Sequence, residues 1–292
     1  MKTMKPISSI SSRFLLLALL ATSPVTGFSA DSPKEDFKLG LKLSAGDGVA
    51  KDDAQAVKWY RKAADQGYAE AQSSLAECYY RGLGVEKDHV VAVKWLRKAV
   101  AQGNAIAQRR LGVCYINGEG VAKDEAEGIK WLHLAAGQGD TVAQFNLGVC
   151  YSQGGHGVPM DNVKAMKFYR MAADKGDVQA QVNLGAGYRA GAGVPQDEVE
   201  AVKWFRKVAD QGVAEGQYNL ATCYIAGSGV PQDTVEACAY YSLAARTISS
   251  AAEYLASVEA TLTEDVKFKI KQRTIELQKE LESKYKEASA GK

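Results

Sequence analysis

The sequence predicts an all-α fold, an α-solenoid of six helix-pair repeats followed by C-terminal capping helices. Three columns of residues recur at a step of 36 or 37 residues: an aromatic column, a leucine column and the valine that follows a glycine-rich turn. They are Trp59, Trp95, Trp131, Phe168, Trp204 and Tyr240; Leu39, Leu75, Leu111, Leu147, Leu184 and Leu220; and Val49, Val85, Val121, Val158, Val194 and Val230. A fixed period of this length is typical of solenoids, in which each unit buries its apolar face by stacking on its neighbours.

The first 30 residues differ from the repeats and have the pattern of a signal peptide. Lys2, Lys5 and Arg13 form a basic region, and residues 14–21 (FLLLALLA) form an apolar run shorter than the roughly 20 residues of a membrane span. The first cysteine is Cys78, which argues against a lipid anchor. We therefore expect cleavage near residues 27–30 and a secreted or periplasmic mature chain that does not insert into a membrane.

Residues 34–247 are predicted to form the six repeats, and residues 103–139 illustrate one of them. Asn104 is placed to cap helix A, which should run over about 105–117. A turn rich in glycine then separates helix A from helix B. Asp124 is placed to cap helix B and, with Glu127, predicts a capping box. Gly139 ends helix B, where a left-handed residue is needed.

These motifs resemble those of the Sel1-like repeat family, a relative of the tetratricopeptide repeats. One copy reads Leu184-Gly185-x-x-Tyr188, then Gly191-x-Gly193-Val194, then Ala201-x-x-Trp204-Phe205. The resemblance covers about residues 34–247 in six copies. It implies antiparallel helix pairs stacked into a right-handed superhelix that mainly binds other proteins. The expected function is therefore that of an exported, non-enzymatic interaction scaffold, and a regulator or adaptor of the cell envelope is one form of it.

Residues 248–292 leave the register of the repeats. Thr261 or Thr263 can cap a helix there, and an apolar stripe follows among charged residues. The stripe is Val266, Ile270, Leu277, Leu281 and Tyr285. We interpret this segment as capping helices that shield the last repeat from solvent.

Composition gives little support to other function classes. Without the three basic residues of the leader, 33 basic side chains stand against 34 acidic ones, so no nucleic-acid partner is expected. His89, His133 and His156 lie in different repeats without metal-ligand spacing, so neither a metal site nor a cofactor is predicted. We find no pattern of catalytic residues.

The alternative is a protein that binds or hydrolyses penicillin or cell-wall fragments, as proposed for secreted cysteine-rich Sel1-like proteins. Those proteins place cysteine pairs seven residues apart, and this sequence lacks that framework. Here Cys78, Cys114 and Cys150 share one column of helix A, where we expect buried free thiols. Cys223 and Cys238 lie on the two helices of one repeat, and a bridge between them stays open.

Two further columns are interpreted as structural. The tryptophans Trp95, Trp131 and Trp204 are expected to be largely buried between helices. A column of glutamines lies on the packed side of helix A, where hydrogen bonding to a nearby turn is the favoured interpretation over ligand contact. It consists of Gln72, Gln108, Gln144, Gln181 and Gln217.

The residue before each leucine points away from the core at 100° per residue, toward the concave groove of tetratricopeptide-like folds. This row reads Lys38, Ser74, Arg110, Asn146, Asn183 and Asn219. Asparagine both donates and accepts hydrogen bonds, so the row suits an extended peptide, with Phe145 and Tyr218 as apolar anchors. The predicted partner-binding residues are therefore Arg110, Phe145, Asn146, Asn183, Tyr218 and Asn219 of a monomer. The competing explanation is that asparagine recurs at this position in many such repeats without contacting a ligand.

Overall fold

A computed structural model describes residues 32–290, and within them the chain forms 14 α-helices. They are α1 (Pro33–Ala45), α2 (Asp53–Asp65), α3 (Ala69–Arg81), α4 (His89–Val100), α5 (Ala105–Asn117), α6 (Glu125–Gly137), α7 (Thr141–Gln153), α8 (Asn162–Ala173), α9 (Val178–Ala190), α10 (Glu198–Ala209), α11 (Ala214–Ala226), α12 (Thr234–Ala244), α13 (Ser249–Glu259) and α14 (Glu264–Ala290). The predicted signal peptide, residues 1–30, lies outside the described residues.

Helices α1 to α12 form six consecutive pairs, which confirms the predicted all-α solenoid. The odd-numbered helices are the A helices and the even-numbered ones the B helices. Each B helix also packs against the A helix that follows it, as α6 does against α7. Between residues 32 and 290 there is no β-strand, and a lone antiparallel bridge joins Gly155 and Val158 in the longer turn of repeat 4.

Each B helix of the six pairs begins at an aspartate. The Asp124 carboxylate accepts the Glu127 backbone N–H at 2.9 Å, as predicted for an N-cap. The reciprocal bond of the expected capping box is absent here, because the Asp124 N–H donates to the Tyr115 carbonyl at 2.9 Å. The Glu127 carboxylate instead accepts from Lys130 at 3.0 Å. Each B helix is thus tied to the A helix before it.

In each B helix of the six pairs, the residue that follows the aromatic column is more deeply buried than the aromatic residue itself. Trp204 is buried, whereas Trp95 and Trp131 are partly exposed and pack against the core of repeats 2 and 3. The residue after each aromatic is the buried one, with at most 6% of its surface exposed. These residues are Tyr60, Leu96, Leu132, Tyr169, Phe205 and Tyr241. They face a glycine or alanine of helix A; a Cβ on Gly148, for example, would collide with the Tyr169 ring.

The glutamine column forms a relay between repeats, as the structural interpretation predicted. Gln144 Nε2 donates to the Ala136 carbonyl at 3.0 Å, and Gln72 and Gln181 make the same bond at 3.1 and 3.0 Å. A second glutamine from the next B helix then donates to the first, as Gln138 does to Gln108 at 2.7 Å. The buried polar amides are therefore used to join repeats.

All five cysteines are buried and present as free thiols, including Cys223 and Cys238, which form no bridge. Burial raises the pKa of Cys78 and Cys114 to about 11. A thiol in this setting behaves as a small apolar residue with little thiolate at neutral pH.

Helix α14 packs along α12, the B helix of repeat 6. Arg273 Nε lies 2.7 Å from Glu236 Oε2, and Lys284 Nζ lies 2.9 Å from Asp210 Oδ1 near the end of α10. Leu277 is buried in this contact, but Tyr285 is 76% exposed. The predicted apolar stripe is thus buried only at Leu277 and half-buried at its Val266, Ile270 and Leu281 positions.

Candidate functional site

The six A helices lie side by side and form one surface, which we call the A-helix face. Gln179 of α9 donates to Glu215 of α11 at 2.9 Å, and Arg110 of α5 donates to Glu77 of α3 at 2.7 Å. These bonds join equivalent or nearby positions of successive repeats. The predicted row of Lys38, Ser74, Arg110, Asn146, Asn183 and Asn219 therefore runs along this face. Lys38 is exposed and the other five are half-buried.

The arginines of the face are paired within the chain. Arg110 Nη2 lies 2.7 Å from Glu77 Oε1, which also accepts from Arg81 Nε at 2.6 Å. Arg109 Nε lies 3.0 Å from Asp140 Oδ1, and both side chains are largely buried. The sequence suggested Arg110 as a ligand for a partner's carboxylate. In the structure Glu77 already occupies that position, so Arg110 supplies shape and hydrogen bonding more than net charge.

The three asparagines of the row differ in their surroundings. Asn219 Nδ2 donates to the Glu215 carbonyl of its own helix at 2.9 Å. Asn183 faces the Tyr169 hydroxyl; burial raises the pKa of Tyr169, and the bonds from Ser152 and Asn183 partly offset that rise. Asn146 lies within α7, and its half-buried side-chain amide makes no hydrogen bond to any other described residue. Asn146 and the outer edge of Asn183 are therefore the amides that remain available to a partner.

The two predicted aromatic anchors are partly used by the core. The ring centroid of Phe145 lies 6.0 Å from that of Tyr169, and the centroid of Tyr218 lies 5.4 Å from that of Tyr241. Both Phe145 and Tyr218 are half-buried. They form the floor of the A-helix face and offer a partner only their exposed edges.

Exposed aliphatic residues on the A helices were not among the predicted site residues. Ile106 is 53% exposed and Val142, at the same position of the next repeat, is 45% exposed. Half-buried Val113 and Val149 follow on α5 and α7. The sequence could have indicated these positions, because they lie four residues before or three residues after the row and therefore share its face of the helix. The middle of the A-helix face is thus mainly apolar and amide in character.

Two hollows open along this face, and each includes a residue of the predicted row. The first, of about 250 Å³, lies among α1, α3 and α5 and is lined by Phe37, Ser74, Glu77, Ile106 and Arg110, among others. The second, of about 300 Å³, lies among α7, α8 and α9, and Asn183 belongs to its wall. Concave surfaces of this kind are where small groups and side chains of partners bind.

The histidines occupy three unrelated positions. His89 stacks on Tyr80 with ring centroids 4.8 Å apart, and His156 Nδ1 lies 3.4 Å from Glu125 Oε1 in a turn. His133 contacts Tyr151. Within residues 32–290 no group of three His, Cys, Asp or Glu side chains is arranged to hold a metal ion. None of the helices in that range is long and apolar enough to cross a membrane.

Comparison with known families and structures agrees with this architecture. The Sel1 repeat model matches residues 37–68, 69–104, 105–140, 141–177, 178–213 and 214–246, which together exceed half of the chain. No curated protein sequence matches the chain.

Two solved structures are similar in both sequence and fold. One is c5321, described as a protective antigen present in uropathogenic Escherichia coli strains displaying an SLR fold. It is 35% identical, with a TM-score of 0.74 over 84% of this chain and 54% of that one. The other is a Sel1 repeat protein from Oxalobacter formigenes, 34% identical, with a TM-score of 0.68 over 78% of this chain and 66% of that one. This chain therefore spans about half of the first relative and just under two thirds of the second.

The family model accounts for all six helix pairs, and the two solved structures share their stacking. The chain belongs to the Sel1 repeat family.

Proposed function

We propose that this protein is an exported scaffold that binds a segment of a protein or peptide partner along its A-helix face, in the concave groove of the solenoid. Sel1 repeat proteins are generally interaction scaffolds and typically non-catalytic. The observation that supports this role best is the row of polar side chains. In this row the Asn146 side chain makes no hydrogen bond to another described residue and is flanked by exposed Val142 and Ile106.

An extended peptide suits the chemistry of this surface. Its backbone presents an N–H and a C=O at every residue, about 3.3 Å apart along the chain, and asparagine can satisfy either group. The exposed Ile106 and Val142 would lose water on contact, and the paired arginines add no uncompensated charge. Removal of apolar area from water then supplies affinity, while the amides fix the register of the segment.

Binding to selected peptides tests this proposal. The probe is a displayed library of random peptides of about ten residues, which span about 33 Å when extended. An enriched peptide is then synthesised, and its affinity for the protein is measured by calorimetry. We expect Asn146→Ala/Asn183→Ala to weaken binding about tenfold or more, since each lost hydrogen bond costs about 1 kcal/mol.

The matched control replaces two exposed lysines on B helices, Lys130→Ala/Lys203→Ala. Both lysines are more than 60% exposed and pair only with a glutamate of the same helix. The control should bind as the wild type does. If the asparagine variant folds and keeps full affinity, the A-helix face is not the binding surface.

Export is the second part of the proposal and rests on the basic and apolar pattern of residues 1–30. Expression of the full chain in a bacterium, followed by cell fractionation and mass spectrometry of the mature N-terminus, tests it. We expect a monomeric envelope or secreted protein that begins after residue 27, 29 or 30. An intact N-terminus in the cytoplasmic fraction would contradict export.

A further inference from the structure

The second hollow of the A-helix face, which we call the α9 hollow, has a buried floor and walls that consist mainly of small side chains. Its volume is about 300 Å³. Met166 and Tyr169 of α8 form the floor, and both are buried in the body of the protein. Asn183 and Ala190 of α9 stand in its wall, and Ser152 of α7 stands opposite them. A partner bound on the A-helix face could therefore contact a B helix, α8, at this point.

The hollow arises from residues of repeats 4 and 5 that differ from those at the same positions of the other repeats. Ala186 stands where α7 has Val149, and Gly187 stands where α7 has Cys150. A Cβ on Gly187 would collide with the sulfur of Met166. The long Met166 side chain therefore fills the space that a cysteine fills in other repeats. The space above it, toward the face, is left open because Ala186 is small.

The lining of the α9 hollow carries no Asp, Glu, Lys, Arg or His side chain. The first hollow differs, because Glu70, Glu77 and Arg110 line it. A charged group placed over Met166 would lose water without gaining a partner, and this is costly. The methionine thioether is polarisable and adapts its shape to apolar groups.

We infer that the α9 hollow is the anchor subsite of the groove and takes one uncharged, apolar side chain of the bound segment. The Asn183 amide at its rim would hydrogen bond to the backbone beside that side chain. The Ser152 hydroxyl is held inside the protein, because it donates to the Val149 carbonyl at 3.0 Å and lies 3.0 Å from the Tyr169 hydroxyl. This inference rests on the proposed peptide-binding function and adds the chemistry of the residue that is bound.

Two matched leucine substitutions test the subsite. Ala190 and Ala226 occupy the same position in successive A helices, and both are exposed, but only Ala190 lines the hollow. Ala190→Leu should fill the hollow and weaken binding of the peptide enriched from the displayed library by about tenfold, the affinity contributed by one apolar side chain. Ala226→Leu should leave the affinity unchanged. Thermal melting checks that both variants fold.

The methyl group of Met166 gives a readout that needs no variant. In protein carrying ¹³C-methyl methionine, the enriched peptide should shift the Met166 signal. The signal of Met171, which lies on α8 but outside the lining of the hollow, should stay in place. Replacing the apolar residue of that peptide by lysine should abolish the shift.

The outcomes separate this inference from the proposed function. If the peptide binds, and Asn146→Ala/Asn183→Ala weakens it, but the Met166 signal and the Ala190→Leu affinity do not change, the groove stands and the subsite is wrong. If the asparagine variant binds with full affinity, both are wrong. The subsite would also be wrong if the enriched peptides shared a charged residue at the position that lies over Met166.

Discussion

His133 Nε2 lies 3.0 Å from the hydroxyl of Tyr151, across the junction between repeats 3 and 4. The other four junctions place an arginine in this position, and that arginine donates to the equivalent tyrosine. The pairs are Arg61 with Tyr79, Arg97 with Tyr115, Arg170 with Tyr188, and Arg206 with Tyr224. Repeat 3 thus replaces a permanent cation by an imidazole, whose charge depends on pH.

The His133 junction should weaken in acid. Burial, followed by the charge of Lys164, lowers the pKa of His133 in the folded protein. An unfolded histidine has a pKa of about 6.5, so below that pH the unfolded state binds the proton more readily and stability falls. The effect should be small because much of the ring remains in solvent. NMR titration of the His133 ring and urea unfolding between pH 5 and pH 7 measure it.

His133→Arg should remove this contribution to the pH dependence, and Arg97→His should add an equivalent one at the junction of repeats 2 and 3. If the His133 ring titrates above the ordinary value, the assigned effect of burial is wrong.

The glutamine relay is interrupted in repeat 4, where Lys175 takes the place of Gln138 and Gln211. Lys175 Nζ donates to the Gly139 carbonyl at 2.6 Å, and no described residue donates to the buried Oε1 of Gln144. Lys175→Gln should restore the missing donor and raise the free energy of unfolding by about 1 kcal/mol. Urea denaturation measures the change.

The reverse substitution one repeat earlier is the control for the relay. Gln138→Lys removes the donor to Gln108 Oε1, now at 2.7 Å, and should lower stability. Equal stability of both variants and the wild type would mean that the relay contributes nothing.

The buried column of helix B should be energetically more important than the tryptophan column. Phe205 has no exposed surface, and a neighbouring glycine, Gly185, receives its ring. Phe205→Ala should cost about 3–5 kcal/mol in the free energy of unfolding, as expected for a buried aromatic. Trp131→Ala should cost less, because Trp131 is half-buried. Denaturant unfolding of the two variants compares them, and a larger loss for Trp131→Ala would contradict the observed packing.

All five thiols should be protected in the native protein. Burial raises the pKa of each cysteine, so reaction with Ellman's reagent at neutral pH should be slow until the chain unfolds. Unfolding without reductant should then expose all five thiols. A count of three would indicate a bridge between Cys223 and Cys238.

The boundaries of the helices could be predicted because local residues determine them. The helix of residues 105–117 was predicted from its Asn104 cap and the glycines of the next turn, and α5 has these bounds. The period could not predict that Trp95 and Trp131 are less buried than the leucines that follow them. A repeat shows which positions recur, but not which of two adjacent positions, 100° apart on a helix, faces the neighbouring helix.

The course of the asparagine row along one face also follows from helix geometry. Its surroundings do not, because they depend on side chains far apart in the sequence. Glu77 reaches Arg110 from another repeat, and the α9 hollow depends on the match between Gly187 and Met166. Such compensating pairs are visible only once the packing is known.

The location of the bound segment is measured most directly by photocrosslinking. The photoreactive residue p-benzoylphenylalanine is placed at Asn146 on the A-helix face or at Lys130 on α6, and the enriched peptide is added and irradiated. Crosslinks from position 146 and none from position 130, mapped by mass spectrometry, are the expected result. Crosslinks from position 130 alone, or equal yields from both positions, would contradict binding along the A-helix face.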